Sequence, residues 1–301
     1  MKISGFTYVR NGLTYQYPFI AAIKSILPIV DEMVVVVGDS TDGTREAIVA
    51  LDSLKIKIID TVWDMNMNTG GKIYAEQSNI GLENTTGDWA IHIQADEVIH
   101  EKDIQILKDA IYFYDKDKEV EGLLLPFYHF WGDFCYIRRT RKTHRYEIRA
   151  FKKKWIIKSY RDSQGFRKYK TIESYLSGAK GDKLKVAKIK VPVFHYSYTR
   201  NPKGMKQKTI TFQSFYSSGI EADASIPFDY NDIDKLEIFV GEHPIYMKDI
   251  IKKKDWEFQY DPSKSNMSFK DKILNWFAAK TGIHLFEYKN YKLLSNKLST
   301  F

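Results

Sequence analysis

Five consecutive apolar residues, Met33-Val34-Val35-Val36-Val37, run straight into the polar stretch Gly38-Asp39-Ser40-Thr41-Asp42-Gly43-Thr44. A strand that is apolar at every position is covered on both faces, which is the habit of parallel sheets. The neighbouring segments keep the same rhythm. Residues 2–9 read as a short strand, and Ile20, Ile23, Ile26, Leu27 and Val30 recur at helical spacing over 17–30. A helix over 44–52, a strand over 55–59, a helix over 70–84 and a strand over 89–93 follow. This alternation predicts an α/β fold with a mostly parallel central sheet flanked by helices.

Beyond residue 100 the pattern changes. A helix is expected over 102–113, then β-like runs at 122–131, 147–151, 155–160 and 189–196. These predict a smaller, more antiparallel lobe. From Pro202 onward the reading is mainly helical, clearest over 267–279 and 285–296.

With 301 residues the chain can bury a substantial core. Its single cysteine, Cys135, rules out an internal disulfide and fits a reducing compartment. The N-terminal stretch has no signal-peptide pattern, and no run of 18 apolar residues occurs, so neither a leader nor a membrane span is expected and the cytoplasm is the expected location. The net charge of +8 calls for an anionic partner without saying which: nucleotide, nucleic acid or membrane.

Ligands of open parallel sheets bind beyond the carboxyl ends of the strands. Two strands here end in carboxylate-bearing loops, 38–44 and Gln94-Ala95-Asp96-Glu97. On one rim these carboxylates would need a cation, and hard oxygen ligands suit Mg2+ or Mn2+ with positions left for substrate phosphate. Each loop alone also reads blandly, the first as a turn and helix cap, the second as a solvated strand end.

The order of segments is more specific. Ser40-Thr41-Asp42-Gly43-Thr44 after an apolar strand, followed by Gly87-Asp88-Trp89 and Gln94-Ala95-Asp96-Glu97, resembles the family 2 glycosyltransferases with the GT-A fold. The resemblance is good over 1–100 and thins toward 208. It implies transfer of a sugar from a nucleotide-diphospho-sugar, most often a uridine one, to a glycan or lipid-linked hydroxyl, with inversion and with Mn2+ or Mg2+. It divides the chain into a nucleotide-sugar half (1–100), an acceptor and catalytic half (101–208) and a C-terminal extension (209–301).

Residue by residue, it puts Thr7, Tyr8, Val9 and Arg10 at the nucleobase pocket and Asp39 and Asp42 against base and ribose. It makes Asp96 the metal-binding aspartate, with Glu97 and His195 as further metal ligands. Val37-Gly38 stand where the family has an aspartate pair, and Gln94 replaces the first acid of Asp-X-Asp, keeping hydrogen-bonding capacity for ribose or phosphate but no charge. Lys72, after Gly70-Gly71 at a helix start, is a candidate phosphate contact. Arg149, in a 138–158 stretch with ten Lys and Arg against one Glu, is another. Asp162 is the candidate catalytic base, with Asp133 and Glu173 as rivals, and the acceptor is expected near Tyr128 and Trp131.

Two other classes compete. A basic nucleic-acid binder would explain the Lys and Arg but not the acidic rim, and no nucleic-acid motif supports it. A catalytically silent scaffold with the same fold is kept in view by Gln94 and the shifted Asp39. The C-terminal aromatics Trp276, Phe277, Ile283, Phe286, Tyr288 and Tyr291 lie among lysines, a composition that suits packing on the catalytic half or peripheral contact with an anionic membrane.

Overall fold

In the computed structural model, residues 1–67, 69–216, 226–298 and 301 are described. The first part follows the predicted alternation: β1 (Ile3–Val9), α1 (Phe19–Ile26), β2 (Glu32–Val37), α2 (Thr44–Val49), β3 (Ile56–Asp60), α3 (Lys72–Glu83) and β4 (Trp89–His92). β1 pairs parallel with both β2 and β4, and β2 pairs parallel with β3. The apolar run of β2 is buried at every position from Met33 to Val37, because helices cover both faces. Ile23 and Ile26 of α1 and Ile48 of α2 fill one side, while Leu82 of α3 packs with Phe6 and Val34 on the other.

The chain continues through β5 (Glu97–Ile99), α4 (Ile104–Asp115), β6 (Gly122–Trp131), β7 (Tyr136–Arg138), β8 (Tyr146–Lys152), β9 (Ile156–Ser159) and β10 (Phe166–Tyr169). β8 joins the central sheet antiparallel to β4 and β6. β9 and β10 form an antiparallel hairpin extended by β11 (Asp182–Lys183), after the short α5 (Ile172–Leu176). β12 (Lys185–Lys188) and β13 (Val193–Tyr198) run parallel to the two halves of β6. β13 also pairs antiparallel with β5, setting His195 opposite Glu97. α6 (Pro202–Ser214) follows, capped by Asn201 and started by Pro202, and it spans residue 208.

The C-terminal part differs from its helical expectation. It holds β14 (Glu237–Ile238), α7 (Lys248–Lys252) and α8 (Phe269–Thr281), but 285–296 is not a helix. Instead β15 (Lys292–Leu298) pairs parallel with β12, Leu293 lying opposite Val186. The open edge of β12 offers backbone partners and Tyr291 buries beside Leu184 and Val186, so tertiary pairing overrides the local spacing.

The basic stretch also has a structural explanation. Arg138 pairs with Asp234, Arg141 with Asp271 and Arg145 with Glu287, the last through two bonds of 2.7 and 2.8 Å. These arginines bind the C-terminal segment to the sheet.

Candidate functional site

The carboxyl ends of β1 and β4, the β9–β10 turn, the end of β13 and one face of α6 enclose a cleft of about 360 Å³. Its polar lining includes Arg10, Gln94, Asp96, Glu147, Arg149, Asp162, His195 and Lys208. One aromatic wall is built from Tyr8, Trp63, Tyr74, Phe212, Phe215 and Tyr216. Tyr74 stacks on Phe212, and Phe215 sits edge-on to Trp63 at 5.7 Å. Rigid aromatic faces of this kind suit a planar base or a sugar ring.

Asp96 stands at the inner end. The β5–β13 register and the bond from the Tyr196 N–H to the Asp96 carbonyl bring it beside His195. Its Oδ1 lies 3.6 Å from His195 Nε2, and its Oδ2 lies 3.7 Å from Lys208 Nζ. Burial pushes the Asp96 carboxyl up, but the pull of His195 in its protonated form, then of Lys208 and Arg200, outweighs that and holds it below its usual range. Burial, then Arg200, lowers Lys208 to about 7 against the pull of Asp96. His129 Nε2 sits 2.7 Å from the His144 carbonyl and its Nδ1 2.8 Å from His195 Nδ1. A carbonyl only accepts, so neutral His129 must accept at Nδ1, His195 donates there, and the Nε2 lone pair of neutral His195 faces Asp96.

Glu97 is used differently. Its two oxygens accept from Arg149 Nε at 2.7 Å and Nη2 at 2.5 Å, and both residues are almost fully buried. Both oxygens are thus committed to Arg149, which leaves Asp96 and His195 of the three expected ligands, and no group of three or more such side chains that could hold a metal ion occurs among the described residues. Two ligands on one edge, with other positions left to phosphate and water, still fit Mg2+ or Mn2+. Arg149 lines the cleft as a member of that pair rather than as a free cation.

Asp162 lies across the cleft in the β9–β10 turn. Its Oδ2 accepts from the Tyr216 hydroxyl at 2.5 Å, and its buried Oδ1 has no hydrogen-bond partner among the described residues. Arg161 and Ser163, on either side, hold φ of 56° and 69°, a left-handed conformation costly for such residues and one that recurs at functional sites. Glycine at 71 is required by its φ of 64° and because a Cβ there would come 2.7 Å from the Asp162 Cβ. Glu147 is the third carboxyl of the lining. Burial raises it to about 7, with Arg149 pulling the other way, and its Oε2 has no partner among the described residues. The rivals stand elsewhere: Asp133 caps Cys135 and pairs with Lys254, and Glu173 is exposed on α5.

The remaining sequence candidates divide by position. Val9, Arg10 and Gln94 line the cleft, whereas Thr7 is buried within β1 outside it. Asp39 is tied to Arg10 through bonds of 2.8 and 3.2 Å and accepts from the Trp63 N–H, so it fixes Arg10 and Trp63 at the cleft edge. Asp42 is spent on the Thr14 and Thr44 N–H groups as a turn and cap. Lys72 is exposed outside the lining, and Gly70 and Gly71 give their N–H groups to the Tyr216 and Phe215 carbonyls. Trp131 stacks behind Tyr198, a lining residue, with centroids 4.1 Å apart. Sequence reasoning missed Lys208, Glu147 as a cleft carboxyl, and the wall of Trp63, Tyr74, Phe212, Phe215 and Tyr216. Lys208 carried no signal beyond its place in a helix following the histidine strand.

A model described as "Glycosyl transferase family 2" matches residues 15–160. Those residues belong to glycosyl transferase family 2. The matched family 2 segment contains Asp96, Glu147 and Arg149, while Asp162, His195 and Lys208 lie beyond it. No curated protein matches the chain. Among solved structures it is similar to S. aureus TarS 1-349 in complex with UDP, at 21% identity over 48% of this chain and 40% of that one, with a TM-score of 0.33. It is also similar to the mannosyltransferase PcManGT from Pyrobaculum calidifontis in complex with GDP-Man and Mn2+, at 20% identity over 50% and 44%, TM-score 0.35. A third is glucosyl-3-phosphoglycerate synthase from Mycobacterium tuberculosis with Mn2+, UDP and phosphoglyceric acid, at 18% identity over 44% and 43%, TM-score 0.29. Each similarity thus spans less than half of the neighbour's chain. Among the described residues, no helix is long and apolar enough to cross a membrane.

Proposed function

We propose that the chain is an inverting glycosyltransferase that takes a sugar from a nucleotide-diphospho-sugar, with UDP-sugars the first class to test. One observation carries this reading: the family 2 segment delivers Asp96 to a cleft whose opposite wall presents Asp162, a carboxylate with one oxygen unpartnered among the described residues. The base lies against the aromatic wall, the diphosphate at the Asp96 end and the sugar between. The Asp162 Oδ1 takes the acceptor hydroxyl proton as the acceptor oxygen bonds to the anomeric carbon. The bond from that carbon to the diphosphate breaks, and its electron pair leaves with the diphosphate. Tyr216 orients Asp162 by donating to the other oxygen.

Asp96 and His195 would hold Mg2+ or Mn2+, which stabilises a leaving diphosphate when bound. The acceptor is a glycan or lipid-linked hydroxyl. Exposed Phe269, Ile273 and Trp276 on α8 are consistent with a chain that rests on a membrane surface.

The test is release of free nucleoside diphosphate from a panel of UDP-, GDP-, CDP- and dTDP-sugars, with and without added glycan acceptors. One donor class should turn over, and Asp162→Asn should suppress that turnover. A protein that binds a donor yet releases nothing with any acceptor is the silent scaffold instead.

A further inference from the structure

At the inner end of the cleft Asp96 faces the buried Lys208, and the buried Arg200 stands outside the lining, behind Tyr17. Lys208, on the second turn of α6, is 7% exposed, and its ammonium is held by the Ser197 carbonyl and hydroxyl, both at 2.9 Å. That grip aims it at Asp96 Oδ2, 3.7 Å away, on the oxygen that His195 does not face. Arg200, 1% exposed, lies with its guanidinium 5.0 Å from the Tyr17 ring, and among the described residues its nitrogens find no acceptor other than the Tyr17 hydroxyl. Glu97 cannot balance this charge because Arg149 holds both its oxygens. Gln94, on the same loop as Asp96, is neutral.

A buried guanidinium with so little compensation leaves positive charge behind the cleft wall, which favours an anion at Lys208. We propose that Lys208, backed by Arg200, is a built-in diphosphate subsite, so that a nucleoside diphosphate binds here through a resident ammonium even when no divalent ion is present. The subsite supplies from the protein the positive charge that the loop of Gln94 and Glu97 does not recruit through a metal. A metal on Asp96 and His195 then adds to an anion site that already exists. This inference rests on reading the cleft as a nucleotide-sugar site.

The test is calorimetry on the full chain with UDP, GDP, CDP and dTDP, and with the matching nucleosides, first in chelator and then in Mn2+. In chelator, one diphosphate should bind at least about tenfold more tightly than its nucleoside. Lys208→Met should erase most of that difference, and Lys208→Arg should keep part of it. Diphosphate binding that appears only in Mn2+, with wild type and Lys208→Met alike, overturns the subsite while leaving the nucleotide-sugar reading intact. No binding of any diphosphate in either condition overturns both. The wild-type comparison in chelator decides the matter even if the Lys208 variants fold poorly.

Discussion

Glu97 and Arg149 form a two-bond ion pair, at 2.5 and 2.7 Å, between the loop that carries Asp96 and the strand β8. Both side chains are nearly sealed from water. Removing one partner strands a buried charge, which costs about 3–5 kcal/mol. Glu97→Ala should therefore lower stability on that scale in chemical denaturation, and Glu97→Leu with Arg149→Met should recover most of the loss. A Glu97→Ala protein of unchanged stability would return Glu97 to the list of metal ligands.

Asp162 and Tyr216 give a kinetic prediction. Asp162→Asn keeps the shape but cannot take a proton, so kcat should fall by roughly 10²–10⁴-fold with little change in donor KM. Tyr216→Phe removes only the orienting bond, and a loss under about tenfold is expected. Steady-state kinetics on both variants checks the order of effects.

Glu147 gives a pH dependence. Its folded value is raised from 4.5 to about 7, so the unfolded chain releases this proton first. Stability from this group is therefore intact below about pH 4.5, is lost as pH rises toward 7 and stays lost above it, by at most about 3 kcal/mol. Glu147→Gln should be neutral to mildly destabilising at pH 4 and stabilising at pH 8, as read from urea midpoints at the two pH values. An equal shift at both would contradict the raised value.

Arg145 and Glu287 are both partly solvated, so their pair is worth about 1 kcal/mol rather than more. Arg145→Ala should barely move global stability. It should speed hydrogen exchange at the Lys292 amide, which donates to the Leu184 carbonyl just beyond the tether. High salt should mimic the variant in part.

The central sheet was readable because its signal is local: the run Met33–Val37 is apolar at every position only when both faces are covered, and it is. Asp96 was readable for the same reason, as a carboxylate at a strand end. The partners of Asp96 were not. His195 came from the order of segments, and Lys208 had no signal at all, because a lysine in an amphipathic helix reads as solvated until the chain is seen to fold it inward. For Arg149 the sequence left a phosphate contact only slightly ahead of a structural ion pair, since a basic stretch looks like one surface whether its charges meet phosphate or distant carboxylates. The strand at 292–298 escaped because its partner edge lies a hundred residues away, and local spacing carries no record of it.

The partners of Arg138, Arg141 and Arg145 are Asp234, Asp271 and Glu287, met in the same order along the chain. During synthesis the basic strip leaves the ribosome long before any of these carboxylates exist. Until they arrive, the three arginines lack the partners they hold in the finished fold, so this part of the charge balance is completed only by the last third of the chain.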